Sequence, residues 1–327
     1  MPSQDSSPQP ASGSATRSRL VVVLVVAVAA VSLAAVLVAR TRAAALRPVA
    51  HATLVSRPDS YLGVYEPGKP PSYAEVATFG RAAGRQPDLA GYYSGWGQSF
   101  ESGFADTLHQ HGITPLVQID PTGASIAAIA AGDYDSYLRS YAVSVRRYGH
   151  AVVIGFGHEM NASWYSWGYR SVRPAVFVAA WRHIVSIFRQ AGADNVTWLW
   201  TVQAKTPGAE PVRAWWPGRQ YVTWVGIDGY YYRRSDTFAA VFGSTITAVR
   251  DFTRRPVLLS ETAVGPLAGQ PAKIADLFRG MRASRTLGLV WFDIAQDAGI
   301  YHQDWRIEGN PAAERALRHG VSTDLAP

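Results

Sequence analysis

The 327-residue chain contains no cysteine. That excludes disulfides, thiolate zinc sites and a cysteine nucleophile, and it leaves the redox compartment open. Also missing is any lysine and arginine stripe or nucleic-acid motif, although the net charge is +7. Arg17, Arg19, Arg40 and Arg42 flank a single apolar run and the remaining basic residues are scattered among aromatics. Such a distribution describes a solvated surface, so no nucleic-acid partner is expected. Apolar residues are plentiful: 48% of positions are hydrophobic and 12% aromatic, enough to fill the core of one large domain.

Residues 1–19 are rich in Ser, Pro and Gln without apolar periodicity and are expected to be a disordered tail. Residues 20–39, "LVVVLVVAVAAVSLAAVLVA", carry no charge and are long enough for a membrane-crossing helix. A secretory signal has an apolar core of about 7–15 residues, so an uncleaved single-pass signal anchor is the expectation. Arg17 and Arg19 precede this run and Arg40, Arg42 and Arg47 follow it. Those flanks alone favour the opposite orientation, and the extracellular placement expected for the domain rests on the function argued below. A linker over 40–57, a monomeric domain over 58–320 and a short tail over 321–327 complete the organisation.

Eight apolar runs bounded by turn residues follow one another: "YLGVYE" (61–66), "LAGYYSGW" (89–96), "ITPLVQID" (113–120), "AVVIGFGHE" (151–159), "NVTWLWTVQ" (195–203), "YVTWVGIDGYY" (221–231), "PVLLSE" (256–261) and "LGLVWFDI" (287–294). They read as strands covered on both faces. Helical patterns separate them. Ser72 and Glu75 form a capping box, and Phe177, Trp181, Ile184 and Phe188 form one stripe between Pro174 and Gly192. Phe100, Phe104 and Leu108 share a face, as do Tyr134, Tyr137, Tyr141 and Val145, and Ile274, Leu277, Phe278 and Met281 mark a helix before the last strand. "TPGAEPVRAWWPG" is the weakest helix and reads mostly as loop. The alternation predicts a (β/α)8 TIM barrel, with a doubly wound open sheet as the alternative.

In a barrel the chemistry collects where strands end, and there the sequence becomes polar: Glu66, Gln118 with Asp120, His158 with Glu159, Gln203, Asp228 with Tyr230, Glu261, and Asp293. Glu159 and Glu261 end the fourth and seventh runs, which face each other across a barrel mouth. Two carboxyl groups so placed suit retaining glycoside hydrolysis, in which one donates a proton and the other attacks the anomeric carbon. "HEMNA" is no zinc motif, because Ala162 stands where the second histidine of H-E-x-x-H belongs. Neither a metal nor another cofactor is expected.

"GFGHEMNASWYSWG" (155–168), with "WVGIDGYYY", "PVLLSE" and "WFDIAQDAGIYHQDWRI", resembles glycoside hydrolase family 26, in order from about Tyr61 to Ile307. The resemblance implies a retaining endo-β-glycanase of mannanase or mixed-linkage β-glucanase type acting on a polysaccharide. Glu159 would be the acid/base, Glu261 the nucleophile, His158 a sugar-gripping neighbour, Tyr230 the hydroxyl that positions the nucleophile and Trp291 the platform under the scissile residue. Trp96, Trp164, Trp167 and Trp200, near strand ends, are further candidates for sugar contact, because flat rings stack on the apolar faces of pyranoses, and Asn161 beside Glu159 is a polar candidate for the same role. Trp181 and Trp198 fall at packing positions, Asp228 and Asp293 read as orienting groups, and the sequons at Asn161 and Asn195 read as chance. One departure stands out: the segment after the third run, "PTGASIAAIAAGDYD", holds no aromatic before Tyr134. That keeps a second reading open, a membrane-tethered carbohydrate-binding protein of weak or no activity that acts on the cell's own surface polysaccharide.

Overall fold

Each of the eight apolar runs forms one strand: β1 (Tyr61–Tyr65), β2 (Leu89–Gly95), β3 (Thr114–Asp120), β4 (Val152–Phe156), β5 (Val196–Gln203), β6 (Trp224–Asp228), β7 (Val257–Thr262) and β8 (Gly288–Phe292). Neighbours in sequence pair in parallel, and β8 returns to β1 in register from Tyr61 opposite Gly288 to Tyr65 opposite Phe292. The sheet is therefore a closed barrel and not the open alternative. This computed structural model describes residues 54–204, 211–296 and 302–326. The chain divides into two units, Met1–Ala50 and His51–Pro327, of which the second holds the barrel. The expected tail and membrane span at 1–39 lie outside the described residues, among which no helix is long and apolar enough to cross a membrane.

Strand side chains alternate between two faces, and here the two faces build two cores. Tyr61, Tyr65, Leu89, Leu116, Val153, Leu199, Trp224, Leu258 and Val290 fill the barrel interior. Val64, Ile154, Trp198, Trp200, Leu259 and Trp291 point outward and are covered by helices. Glycine makes room for large inward side chains. A Cβ on Gly91 would stand 2.3 Å from the ring of Tyr65, and one on Gly155 would stand 1.9 Å from Oε1 of Gln118.

The helical layer follows the sequence patterns. α1 (Tyr73–Ala83) starts with the Ser72–Glu75 capping box, with both reciprocal bonds made. Helices α2 (Ser102–Gln110), α3 (Ile126–Ala131) and α4 (Asp135–Tyr148) follow. α5 (Pro174–Gln190) has proline in its first turn and buries Phe177, Trp181, Ile184 and Phe188, each such side chain contributing about 1.5–3 kcal/mol. Past β5 the described residues between 211 and 223 make short 3₁₀ turns at Val212–Trp215 and Arg219–Tyr221, as the proline content of this stretch suggests. Then come α6 (Ser244–Arg250), α7 (Gln270–Ser284) and α8 (Pro311–Asp324). α8 runs past residue 320, into the segment expected to be a tail, because Val321 and Leu325 are buried.

Candidate active site

The polar residues of the strand ends meet at one mouth of the barrel. β4 ends at Phe156, and the next three residues turn sharply, with Gly157 at φ 53° and Glu159 at φ 54°. A left-handed glutamate costs roughly 1–2 kcal/mol, a strain of the kind found at functional sites. Here the Glu159 amide is held on the Thr201 carbonyl of β5 at 3.1 Å. The Glu159 side chain is buried and accepts one hydrogen bond, from Trp164 Nε1 to Oε2 at 2.7 Å. Burial raises its pKa and nearby Glu261 adds to this, while His158 and the indole N–H oppose; together they leave it at about 7.

Glu261 reaches the mouth through a bulge. Leu258 and Ser260 face inward, so plain alternation would turn Glu261 out with Leu259. Between β6 and β7, however, Gly226 pairs with Leu258 and Asp228 with Glu261, an extra residue on β7. Such a bulge re-aims a side chain. Glu261 then accepts from both flanks: Tyr93 to Oε1 at 2.5 Å and Tyr230 to Oε2 at 2.8 Å. Burial raises its pKa, against His158 and the two phenol donors, which favour the ionised form. Beneath it Asp228 is completely buried and accepts from Ser260 Oγ at 2.5 Å.

His158 joins the two carboxyls. Its Nδ1 lies 3.0 Å from Asp120 Oδ1 and its Nε2 3.0 Å from the Tyr165 hydroxyl. Burial disfavours the charged ring, but Asp120, with Glu261 and Glu159 beyond it, outweighs this and raises the pKa to about 10. As an imidazolium it donates through both nitrogens. Trp167 fixes this corner, donating Nε1–H to the His158 carbonyl at 2.8 Å and stacking on Tyr165 at 4.3 Å.

These groups line a cleft of about 390 Å³ whose walls include Tyr93, Asp120, Trp164, Tyr165, Tyr230, Phe292, Lys69 and Gln296. Among the expected residues, Glu159, Glu261, His158, Trp164 and Tyr230 converge there. The others stand elsewhere. Trp291 and Trp200 are fully buried on the outward face, because they alternate with the inward Val290 and Leu199. Trp291 donates to the Trp305 carbonyl at 3.0 Å, and its neighbour Phe292 faces the cleft in its place. Trp167 is buried behind Tyr165. Trp96 is half-buried against Tyr134, Tyr137 and Phe156. Asn161 is buried and exchanges two bonds with the Gln203 backbone, at 3.0 and 2.9 Å. Sequence reasoning missed Tyr93, Tyr165 and Phe292 as site residues. The alternation Leu89, Gly91, Tyr93 was the available signal for the first, and Val290, Phe292 for the third.

The sequence pattern of glycosyl hydrolase family 26 matches residues 138–317. The chain belongs to this family. Among characterised relatives, Endoglucanase H of Acetivibrio thermocellus is 28% identical over 271 residues, which cover 78% of this family 26 chain but 29% of that much longer protein. Solved structures share the fold. The YdhT protein of Bacillus subtilis superimposes with a TM-score of 0.61 at 17% identity, over 85% of this chain and 89% of its own. The catalytic domain of the family 26 endo-β-1,4-mannanase from Bacillus sp. JAMB-750 gives 0.62 at 14% identity, over 82% and 87%.

Proposed function

We propose that the domain cleaves a β-linked polysaccharide of mannan or β-1,3/1,4-glucan type within its chain, with retention of configuration, using Glu159 as acid/base and Glu261 as nucleophile. One observation carries this reading, the unequal treatment of the two carboxyls. Glu261 accepts a phenol on each oxygen, which favours the anion and fixes its direction. Glu159 accepts a single indole N–H and is pushed up to about 7, so it keeps a proton in neutral and mildly acidic water. Retaining glycosidases require such a division.

In the first step Glu159 gives its proton to the glycosidic oxygen while a Glu261 oxygen bonds to the anomeric carbon, so the C–O bond to the leaving sugar breaks. In the second, Glu159, now a carboxylate, takes a proton from water as the water oxygen attacks that carbon and releases Glu261. The His158 imidazolium stands near both carboxyls and offsets the charge that passes between them. Trp164 holds Glu159 through its N–H and leaves a ring face for a pyranose. The family and the endoglucanase and mannanase names of the relatives support the substrate class. The apolar run at 20–39 supports placing the enzyme on the cell membrane, domain outward, against the host's own surface polysaccharide or an external one.

The test is release of reducing ends from mannan, mixed-linkage β-glucan and surface polysaccharide by the wild type beside Glu261→Ala. Release by the wild type alone is expected. Equal release by the variant, or binding without release by the wild type, would overturn the reading.

A further inference from the structure

The seam that closes the barrel carries a second polar cluster, away from Glu159 and Glu261. The Asp293 amide donates to the Tyr65 carbonyl at 2.8 Å, carrying the β1–β8 pairing one residue past the end of β8. Glu66 and Asp293, which follow the two strands, are thereby set side by side. The chain after β8 then folds back: Ala295 bridges Asp304 in antiparallel fashion, and the Ile307 amide donates to Asp293 Oδ1 at 2.7 Å. This return delivers Glu308. One oxygen from each of Glu66, Asp293 and Glu308 lies within 4.8 Å of the others.

A second observation concerns what those oxygens lack. Glu66 is 7% exposed and Asp293 2%, yet buried Oε1 of Glu66 and buried Oε1 of Glu308 accept no hydrogen bond. No ion pair of the described residues reaches any of the three. Neighbouring Arg306 is spent on Asp304, at 2.9 and 2.7 Å. A nine-tenths buried carboxyl with no donor, beside two other carboxyls, has to be neutralised, either by a proton or by a cation lying between them.

We propose that Glu66, Asp293 and Glu308 bind one calcium-class divalent cation that clasps the first and last strands at the rim of the cleft. The donor set is all oxygen, which selects a hard cation over zinc or copper. Oxygens within 4.8 Å of one another can sit on one sphere of the 2.3–2.6 Å radius that Ca²⁺ prefers, and half-buried Glu308 leaves a side for waters to complete six to eight ligands. The ion is structural. It touches neither carboxyl of the cleft, and it anchors Asp293, the residue after the cleft-lining Phe292.

The experiment is thermal unfolding and calorimetric titration of the full-length chain, stripped with EDTA and returned to chelator-free buffer, with CaCl2 and with MgCl2 at matched ionic strength. One saturable Ca²⁺ site is expected. At about 100 times its dissociation constant it should raise the melting midpoint by about 5 °C or more, well beyond the effect of Mg²⁺. Glu66→Gln and Asp293→Asn, with far-UV circular dichroism like the wild type, should each lose that rise. Absence of Ca²⁺ heat and of any shift in the stripped wild type would overturn the proposal, and so would an undiminished shift in folded Glu66→Gln. Should neither variant fold, the wild-type titration decides alone.

Discussion

The phenol of Tyr93 donates to Glu261 Oε1 at 2.5 Å although 168 positions separate the two residues. With Tyr230 on the other oxygen at 2.8 Å, Glu261, the proposed nucleophile, is held in one orientation and its anion is favoured against burial. Hydrogen bonds to charged groups contribute about 1.5–3 kcal/mol. Tyr93→Phe and Tyr230→Phe should therefore each lower kcat by roughly 10- to 100-fold, with less change in KM. Each should also shift the acidic limb of the pH profile upward. Steady-state kinetics on the best polysaccharide checks both, and an unchanged kcat in Tyr93→Phe would reduce that contact to packing.

The pH dependence follows from the acid. As the proposed acid, Glu159 must carry its proton to act, and its pKa is raised to about 7. kcat/KM should therefore fall about tenfold per unit as the pH rises beyond that value. At the acid end activity is lost as Glu261 is protonated, at a pH above the ordinary 4.5 because its pKa is raised. Trp164→Phe deletes a donor that favours the Glu159 anion, so the basic limb should move to higher pH. A limb that stays in place would show that the indole bond does not tune the acid.

Removing the two proposed reacting groups should separate the two steps. Glu261→Ala is expected to lose kcat by on the order of 10⁴ or more on every substrate. Glu159→Ala should lose a comparable amount on polysaccharide but retain the first step on aryl glycosides whose leaving groups need no proton. Burst kinetics with such a glycoside would reveal the accumulating intermediate in that variant. Equal defects on both substrate types would reverse the assignment of roles.

Adjacent aromatics of β8 should behave as opposites. Trp291 is fully buried on the outward face of β8, so Trp291→Ala should cost about 3–5 kcal/mol of stability. Phe292 lines the cleft, so Phe292→Ala should act mainly on KM and kcat/KM. Denaturant titration beside kinetics distinguishes the pair. A KM effect confined to Trp291 would restore that residue as the sugar platform.

Gly155→Ala tests how tightly the barrel is filled. The new methyl would meet Oε1 of buried Gln118 at 1.9 Å, and Gln118 is tied to Thr201 Oγ1 at 3.1 Å. Overpacking of this kind costs typically 1–3 kcal/mol. A urea-unfolding midpoint equal to the wild type would mean that Gln118 moves aside freely.

Much of this was legible along the chain. The eight strands, the capping box at Ser72 and the long helix from Pro174 to Gln190 were readable because each is written in local periodicity and end signals. Glu159 and Glu261 stood out because ionisable groups rarely end apolar strands without a task. The tryptophans were harder. Trp291 lies one residue and Trp200 three residues before the end of its strand, and only their phase in the pleat turns them outward.

The sequence by itself therefore determined the order of elements, the alternating α/β class and the two candidate carboxyls, since these depend on near-neighbour spacing, while closure of the sheet into a barrel was read from the pairing of β8 with β1. The tertiary structure alone decided which face each strand shows. One extra residue in β7 inverts the alternation at Glu261, and two left-handed residues around His158 redirect the end of β4. It also decided the partners, Tyr93 for Glu261, Asp120 for His158 and Glu66 beside Asp293, because barrel closure and register bring together groups that no local pattern links.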